Sequence, residues 1–218
     1  MKKYWVTLLA MILFFSCNNT EKDNSISSEK QIPVSTEEIR NRSFDELFKK
    51  ITENEIPESV FKLVGEDFTV LTSGNENDFN SMVASWGGWG ILFNKPTTWC
   101  FLRANRYTLD YIKREHTYTM AYFDDSYKEQ IMAFGTQSGR NTGKMKETSL
   151  SPVVTPSGSV SFKEAKLIIE CRLTEMTTVK PEDFYSQEGK EFITEAYQEA
   201  NEYHKILFGE ITGVWIRE

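Results

Sequence analysis

Seven runs rich in β-branched and aromatic residues recur along the chain, each bounded by Gly, Pro, Asn or Asp: VFKLV, FTVLTSG, SMVASWGGWGILF, TTWCFLRA, TYTMAYF, AKLIIECRLTEMTTV and ILFGEITGVWIRE. Such runs read as strands. Helical patterns at YTLDYIKREH, SYKEQIMAF, GKMKETSL and PEDFYSQEGKEFITEAYQEANEYHK fall between them without regular alternation. A doubly wound α/β fold needs that alternation, so the spacing predicts a mainly β fold, an antiparallel barrel with attached helices. Ahead of the strands, STEEIRNRSFDELFKKI predicts a packing helix: Ser35 or Thr36 caps it, Glu37 and Glu38 suit its first turn, and Phe44, Leu47 and Phe48 share a face. Residues 37–218 contain no internal repeat or composition break, and one domain is expected.

The chain starts MKKYWVTLLAMILFFSCNNT, with two lysines, an apolar run over residues 4–15 and a small residue before Cys17. The run is too short for a stable bilayer-spanning helix and reads as a secretory leader over residues 1–16. Ser16-Cys17, followed at once by NNTEKDNSISSEK, resembles a bacterial lipoprotein signal with Cys17 as the lipidated first residue. The expectation is an exported protein, lipid-anchored at the inner or outer membrane of a bacterial envelope. Residues 17–36 then form a flexible tether and residues 37–218 the folded domain. A plain cleaved leader with an incidental cysteine is the alternative.

The net charge of −7 disfavours a general nucleic-acid binder, which should be basic. Cys17, Cys100 and Cys171 form no CxxC pair and the only histidines are His116 and His204, so no standard metal site can be assembled by spacing. Cys100 and Cys171 read as buried thiols, which could pair only if their strands are adjacent. GRNTGKM fails as a phosphate loop because three residues separate Gly139 from Gly143 and Met145 stands where Ser or Thr should bind magnesium. GTQSG does not centre its serine in a GxSxG elbow, and WGGWG is not GxGxxG opening a helix.

Four segments are hard to explain as packing alone. In NSMVASWGGWG, Asn80, Met82, Val83, Ala84, Ser85 and Trp86 precede Gly87 and Gly88, which would let backbone approach a flat ring; a glycine bend with core tryptophans is the alternative. RANRYT sets Arg103, Asn105, Arg106 and Thr108 where a strand gives way to a helix, a place that suits a phosphate, although a solvated arginine pair and a simple cap would look the same. GTQSGRNTGKM offers Thr136, Ser138, Gly139, Arg140 and Lys144 on a glycine-punctuated turn, otherwise an ordinary surface loop. His204 is placed at the end of the long helix before ILFGEI, where interaction with the helix dipole is the plain reading.

In this order and at these separations the four segments resemble the flavin reductase-like proteins, of the flavoredoxin or NAD(P)H:flavin oxidoreductase type, over about residues 78–213. The resemblance implies an FMN-binding split β-barrel, non-covalent FMN, NAD(P)H as a candidate electron donor, and a homodimer. It assigns the residues named above to the flavin, Lys144 foremost in the last loop, and puts His204 near the flavin as an orienting or proton-delivering group. Two departures stand out: Val83 where many relatives carry threonine, and Gly143 where an acidic residue is common. An exported location sits uneasily with a cytosolic nicotinamide. Two alternatives therefore stay open: a lipid-anchored electron-transfer module reduced by a membrane partner protein, and a split barrel that has lost FMN and binds another ligand.

Overall fold

The computed structural model describes residues 36–140, 148–197 and 202–218. The expected leader, lipidated Cys17 and most of the tether lie outside the described residues. Helices α1 (Thr36–Asn41) and α2 (Phe44–Leu47) open the folded part, the second begun by a Ser43–Glu46 capping box. The predicted packing helix does not continue to Ile51, because strand β1 (Phe48–Ile51) pairs with residues 214–217 at the far end of the chain. VFKLV, expected as a strand, is helical: α3 (Val60–Lys62) runs into a π turn over Leu63–Asp67. Ser59 caps it by accepting the Phe61 N–H at 3.2 Å, a local gain that overrides the weak β preference of Val60 and Val64.

Strands β2 (Thr69–Asn75), β3 (Asp78–Ala84), β4 (Gly87–Leu92) and β5 (Lys95–Arg103) follow. After them come α4 (Tyr107–Glu115), β6 (Thr117–Tyr122) and α5 (Lys128–Thr136). The remainder comprises β7 (Pro152–Val154), β8 (Val160–Phe162), β9 (Leu167–Thr178), α6 (Gln187–Ala196) and β10 (His204–Arg217). Eight strands form one antiparallel sheet in the order β3-β2-β6-β9-β10-β5-β4, with β1 also on β10; β7 and β8 form a separate ribbon. The sheet order itself demands curvature. Laid flat, its seven-strand path would put β3 and β4 about 29 Å apart. Ala84 and Gly87 are three residues apart, a reach of about 11 Å. The sheet therefore curls until its two edges meet at Ser85-Trp86, which makes SMVASWGGWGILF two strands rather than one.

Alternation along the central strands divides the core. Leu71, Tyr118, Met120, Tyr122, Leu167, Ile169 and Cys171 point into the barrel with Leu102 and Leu207. Their neighbours Val70, Ala121, Phe123 and Ile168 point outward under α1, α2, α5 and the ribbon, against Phe44, Ile131, Phe134 and Phe162. β6 and the first half of β9 are buried on both faces, which is why they read as near-continuous apolar runs. β10 is the longest strand: it pairs with β9 along one edge, and with β5 and then β1 along the other. A side chain at Gly209 would place its Cβ 2.2 Å from the Tyr118 hydroxyl, so that crossing requires glycine.

β5 and β9 flank β10 rather than each other, and Cys100 and Cys171 are buried, free thiols. Burial pushes Cys171 up to about 12 and Cys100 higher still. The long helix expected over residues 181–205 is broken: a 3-10 turn covers Pro181–Asp183, and Ser186 caps α6 by accepting the Gly189 N–H at 3.1 Å. His204 is consequently the first residue of β10, not the last of a helix. Of GKMKETSL, residues 143–147 lie outside the described residues and 148–150 have no regular structure. Among the described residues no helix is long and apolar enough to cross a membrane.

Candidate functional site

A tight turn, closed by the Arg106 N–H to the Arg103 carbonyl at 3.0 Å, carries the chain from β5 into α4. Arg106 takes the cap position in extended backbone and no side chain caps the helix; the Leu109 N–H donates to the Arg106 carbonyl at 3.0 Å, which leaves the Tyr107 and Thr108 amides for an external acceptor. Two ties fix α4 against β3. Thr108, fully buried, accepts from Asn80 Nδ2 at 2.6 Å; one turn further on, Asp78 accepts from the Tyr111 hydroxyl at 2.6 Å and from Arg114 at 3.0 Å. Residues 137–140, which follow α5, close over the same place. A Cβ at Gly139 would fall 1.8 Å from Asn80 Oδ1, and Arg140 donates to the Asn105 carbonyl at 2.9 Å and to Asp110 at 2.7 Å while lying over the Tyr107 ring at 4.7 Å.

These pieces enclose a cavity of 220 Å³ lined by Asn80, Met82, Asn105, Arg106, Tyr107, Thr108, Phe134, Gln137, Ser138 and Gly139. Arg106 and the open helix end make one side of it electropositive. Met82 and Phe134 supply apolar wall.

A second group of side chains shares Arg106 with this cavity. His204 opens β10 opposite Arg103, the last residue of β5. Its Nδ1 is hydrogen-bonded to the Tyr197 hydroxyl, and its ring lies 4.9 Å from the indole of Trp86, which is 46% exposed. Trp86 is anchored through its carbonyl, which accepts the Phe101 N–H at 3.2 Å, and Phe192 of α6 sits 6.1 Å from its ring. Arg103 lies over the Tyr197 ring at 5.2 Å. Burial, reinforced by Arg103 and Arg106, pushes His204 down to about 4, so its imidazole is neutral at pH 7.

The structure thus gathers seven of the expected site residues, Asn80, Met82, Asn105, Arg106, Thr108, Ser138 and Gly139, around one cavity. It brings Trp86, Arg103 and His204 together beside it. Others fall elsewhere. Val83 packs toward Gly135 of α5, and Ala84 is part of the barrel core. Ser85 lines a different cavity, of 410 Å³, with Trp89 and Trp99. Thr136 ends a helix and its hydroxyl donates to the Met132 and Ala133 carbonyls at 3.5 and 3.4 Å. Lys144 and Gly143 lie outside the described residues. Sequence reasoning passed over Tyr107, Phe134, Gln137 and Tyr197; only Tyr107 carries a signal, as the aromatic within RANRYT. Among the described residues no group of three or more His, Cys, Asp or Glu could hold a metal ion.

A flavin mononucleotide requires an anion site, a wall where backbone can approach closely, and apolar surface for its ring system. Arg106 with the open end of α4, the Gly139 backbone seated directly against Asn80 in the cavity wall, and the Met82 and Phe134 faces meet those requirements.

Comparison with solved structures gives the same architecture at low sequence identity. The fold is similar to the FMN-binding protein from Thermus thermophilus with bound p-hydroxybenzaldehyde, at TM-score 0.55 and 16% identity, over 78% of this chain and 82% of that one. It is similar to an FMN-binding domain of flavin reductases-like enzyme from Shewanella baltica OS155, at TM-score 0.55 and 13% identity, over 78% and 76%. Flavoredoxin of Desulfovibrio vulgaris (Miyazaki F) superposes at TM-score 0.53 and 18% identity, over 77% and 78%. At these identities the likeness establishes the fold, a mainly β split barrel with attached helices. No curated protein sequence matches the chain. The family described as flavin reductase like domain matches residues 62–218, which supports a flavin-binding, oxidoreductase-like role. By that match over most of its length, the chain belongs to the flavin reductase-like domain family.

Proposed function

We propose that the protein is a flavoprotein oxidoreductase holding non-covalent FMN in the cavity between β3, α4 and residues 137–140. The observation that carries this reading is Arg106 beside an uncapped nine-residue helix, both lining a cavity that Asn80 and Gly139 also line. Bound FMN supplies the hydride- and electron-transfer chemistry. Arg106 and the α4 amides balance the phosphate charge, and Ser138 and Asn105 add polar contacts. Asn80, fixed by Thr108, keeps the wall in register with the helix. Neutral His204 and the exposed Trp86 offer a hydrogen-bonding edge and a flat apolar face without adding positive charge.

On this reading NAD(P)H reduces the bound flavin and the protein works as a homodimer. The lipoprotein-like start of the chain favours a second reading, in which Cys17 anchors the protein at the envelope and a membrane partner delivers the electrons instead. A visible spectrum of the purified protein, recorded anaerobically with FMN and then with NADH or NADPH, tests both. Flavin absorbance that bleaches with nicotinamide supports the first. Absorbance that bleaches only with dithionite supports the second, and a protein that retains no FMN contradicts both.

A further inference from the structure

We infer that Tyr197 is a positioning residue for this site, holding His204 as the Nε2–H tautomer so that the imidazole serves the flavin pocket as an N–H donor rather than as an imidazolium acid. The inference rests on the flavin reading above. Tyr197 directly follows α6, in extended backbone at φ −130° and ψ 130°, and is 6% exposed. Its hydroxyl bonds His204 Nδ1, and its ring stands edge-on to the imidazole at 5.5 Å and 72°. Arg103 covers its face, Tyr203 meets it edge-on at 5.2 Å, and Arg103 also donates to the Ala196 carbonyl at 3.4 Å. Trp86 closes the other side of the imidazole. The ring is therefore clamped between a phenol and an indole.

The direction of the proton in the Tyr197–His204 bond follows from the chemistry of its two partners. A phenol O–H is a strong donor and its oxygen a weak acceptor, whereas the bare nitrogen of a neutral imidazole is a strong acceptor, so the phenol proton is the one that reaches Nδ1. Burial raises Tyr197 above the usual tyrosine range, which keeps that proton in place at pH 7. The charged groups that bear on His204, Arg103 at the end of β5 and Arg106 at the start of α4, oppose a second proton on the ring. One proton remains, and it sits on Nε2.

The test is ¹⁵N NMR of the full chain carrying labelled histidine, with His204→Gln separating His204 from His116. In flavin-free protein the wild type should show a pyridine-like Nδ1 and a pyrrole-like Nε2 that stay unchanged from pH 8 to pH 5.5. Tyr197→Phe should bring both nitrogens toward a common, exchange-averaged position. With FMN bound, the wild-type Nε2 resonance should move while Nδ1 holds. A proton on Nδ1 in the wild type, a Tyr197→Phe spectrum identical to wild type, or bound FMN that leaves Nε2 unmoved each overturns the inference. The wild-type spectrum decides alone if the variant does not fold. Failure to bind FMN sinks the flavin reading instead, and the flavin-free spectra keep the two failures distinct.

Discussion

Replacing Thr108 by valine tests the joint between β3 and α4 on which the cavity depends. Thr108 is 0% exposed, and its hydroxyl accepts from Asn80 Nδ2 at 2.6 Å; Asn80 is 4% exposed. Valine fills the same volume and removes the acceptor. Asn80 would be left with one long contact, 3.4 Å to the Ser81 carbonyl. A buried donor stripped of its partner costs about 1–3 kcal/mol, more than the net worth of the bond itself. Urea unfolding of Thr108→Val should therefore show a stability loss of about 1–3 kcal/mol with an unchanged slope. In a double-mutant cycle with Asn80→Ala, the two losses should fall short of additivity by about 1 kcal/mol. A loss under about 0.5 kcal/mol, or strict additivity, would refute the claim that this one hydrogen bond locks strand to helix.

Three further outcomes are expected. Gly139→Ala places a methyl 1.8 Å from Asn80 Oδ1. Because Asn80 is tied to Thr108, residues 137–140 must yield, and FMN affinity should fall about tenfold, equivalent to about 1.4 kcal/mol; an unchanged Kd in a fluorescence titration contradicts this. His204 is held at about 4 in the folded state, below its unfolded value near 6.5, so as pH falls the unfolded chain takes up the proton first. Stability should decline between pH 6.5 and 4 by about 1–2 kcal/mol more in the wild type than in His204→Gln, after allowing for solvent screening of a half-buried ring; parallel profiles would count against the assignment. Cys100 and Cys171, buried and pushed well above the usual thiol range, should resist alkylation in the native protein and react on unfolding, as peptide mass spectrometry would show.

Much of the barrel is legible in the sequence because β2, β5, β6, β9 and β10 carry long apolar runs whose character survives local context. What sequence reading misses is set by distant partners or by a single cap. Residues 48–51 look like the end of an amphipathic helix, and become a strand only because residues 214–217 offer a free edge. Val60 and Val64 suggest a strand, yet Ser59 starts a helix there. SPVVTPSGSVSF is not among the seven expected strands; its two strands are three residues each, with Gly158 at φ 83° in the turn between them.

The site divides along the same line. Arg106 and Thr108 are legible as an anion-binding candidate because arginine at a strand-to-helix change marks one in sequence, whereas Asn80 and Gly139 join them only through the family resemblance. The sequence singles out His204 but sets it at a helix end, since helix-forming residues on either side of Tyr197 hide the break after Ala196. Tyr197 itself gives no sign in one dimension: its role exists only because the extended backbone after α6 swings it onto the first residue of β10.

On the proposed function, Arg106 and the open end of α4 hold the phosphate of FMN. The most direct measurement is the FMN Kd of wild type and Arg106→Ala, side by side, with riboflavin as the phosphate-free comparison. The wild type should bind FMN tightly, Arg106→Ala should lose about tenfold or more, and riboflavin should bind weakly with no change on substitution. FMN and riboflavin bound equally well by the wild type, or an Arg106→Ala variant that retains full FMN affinity, would contradict it.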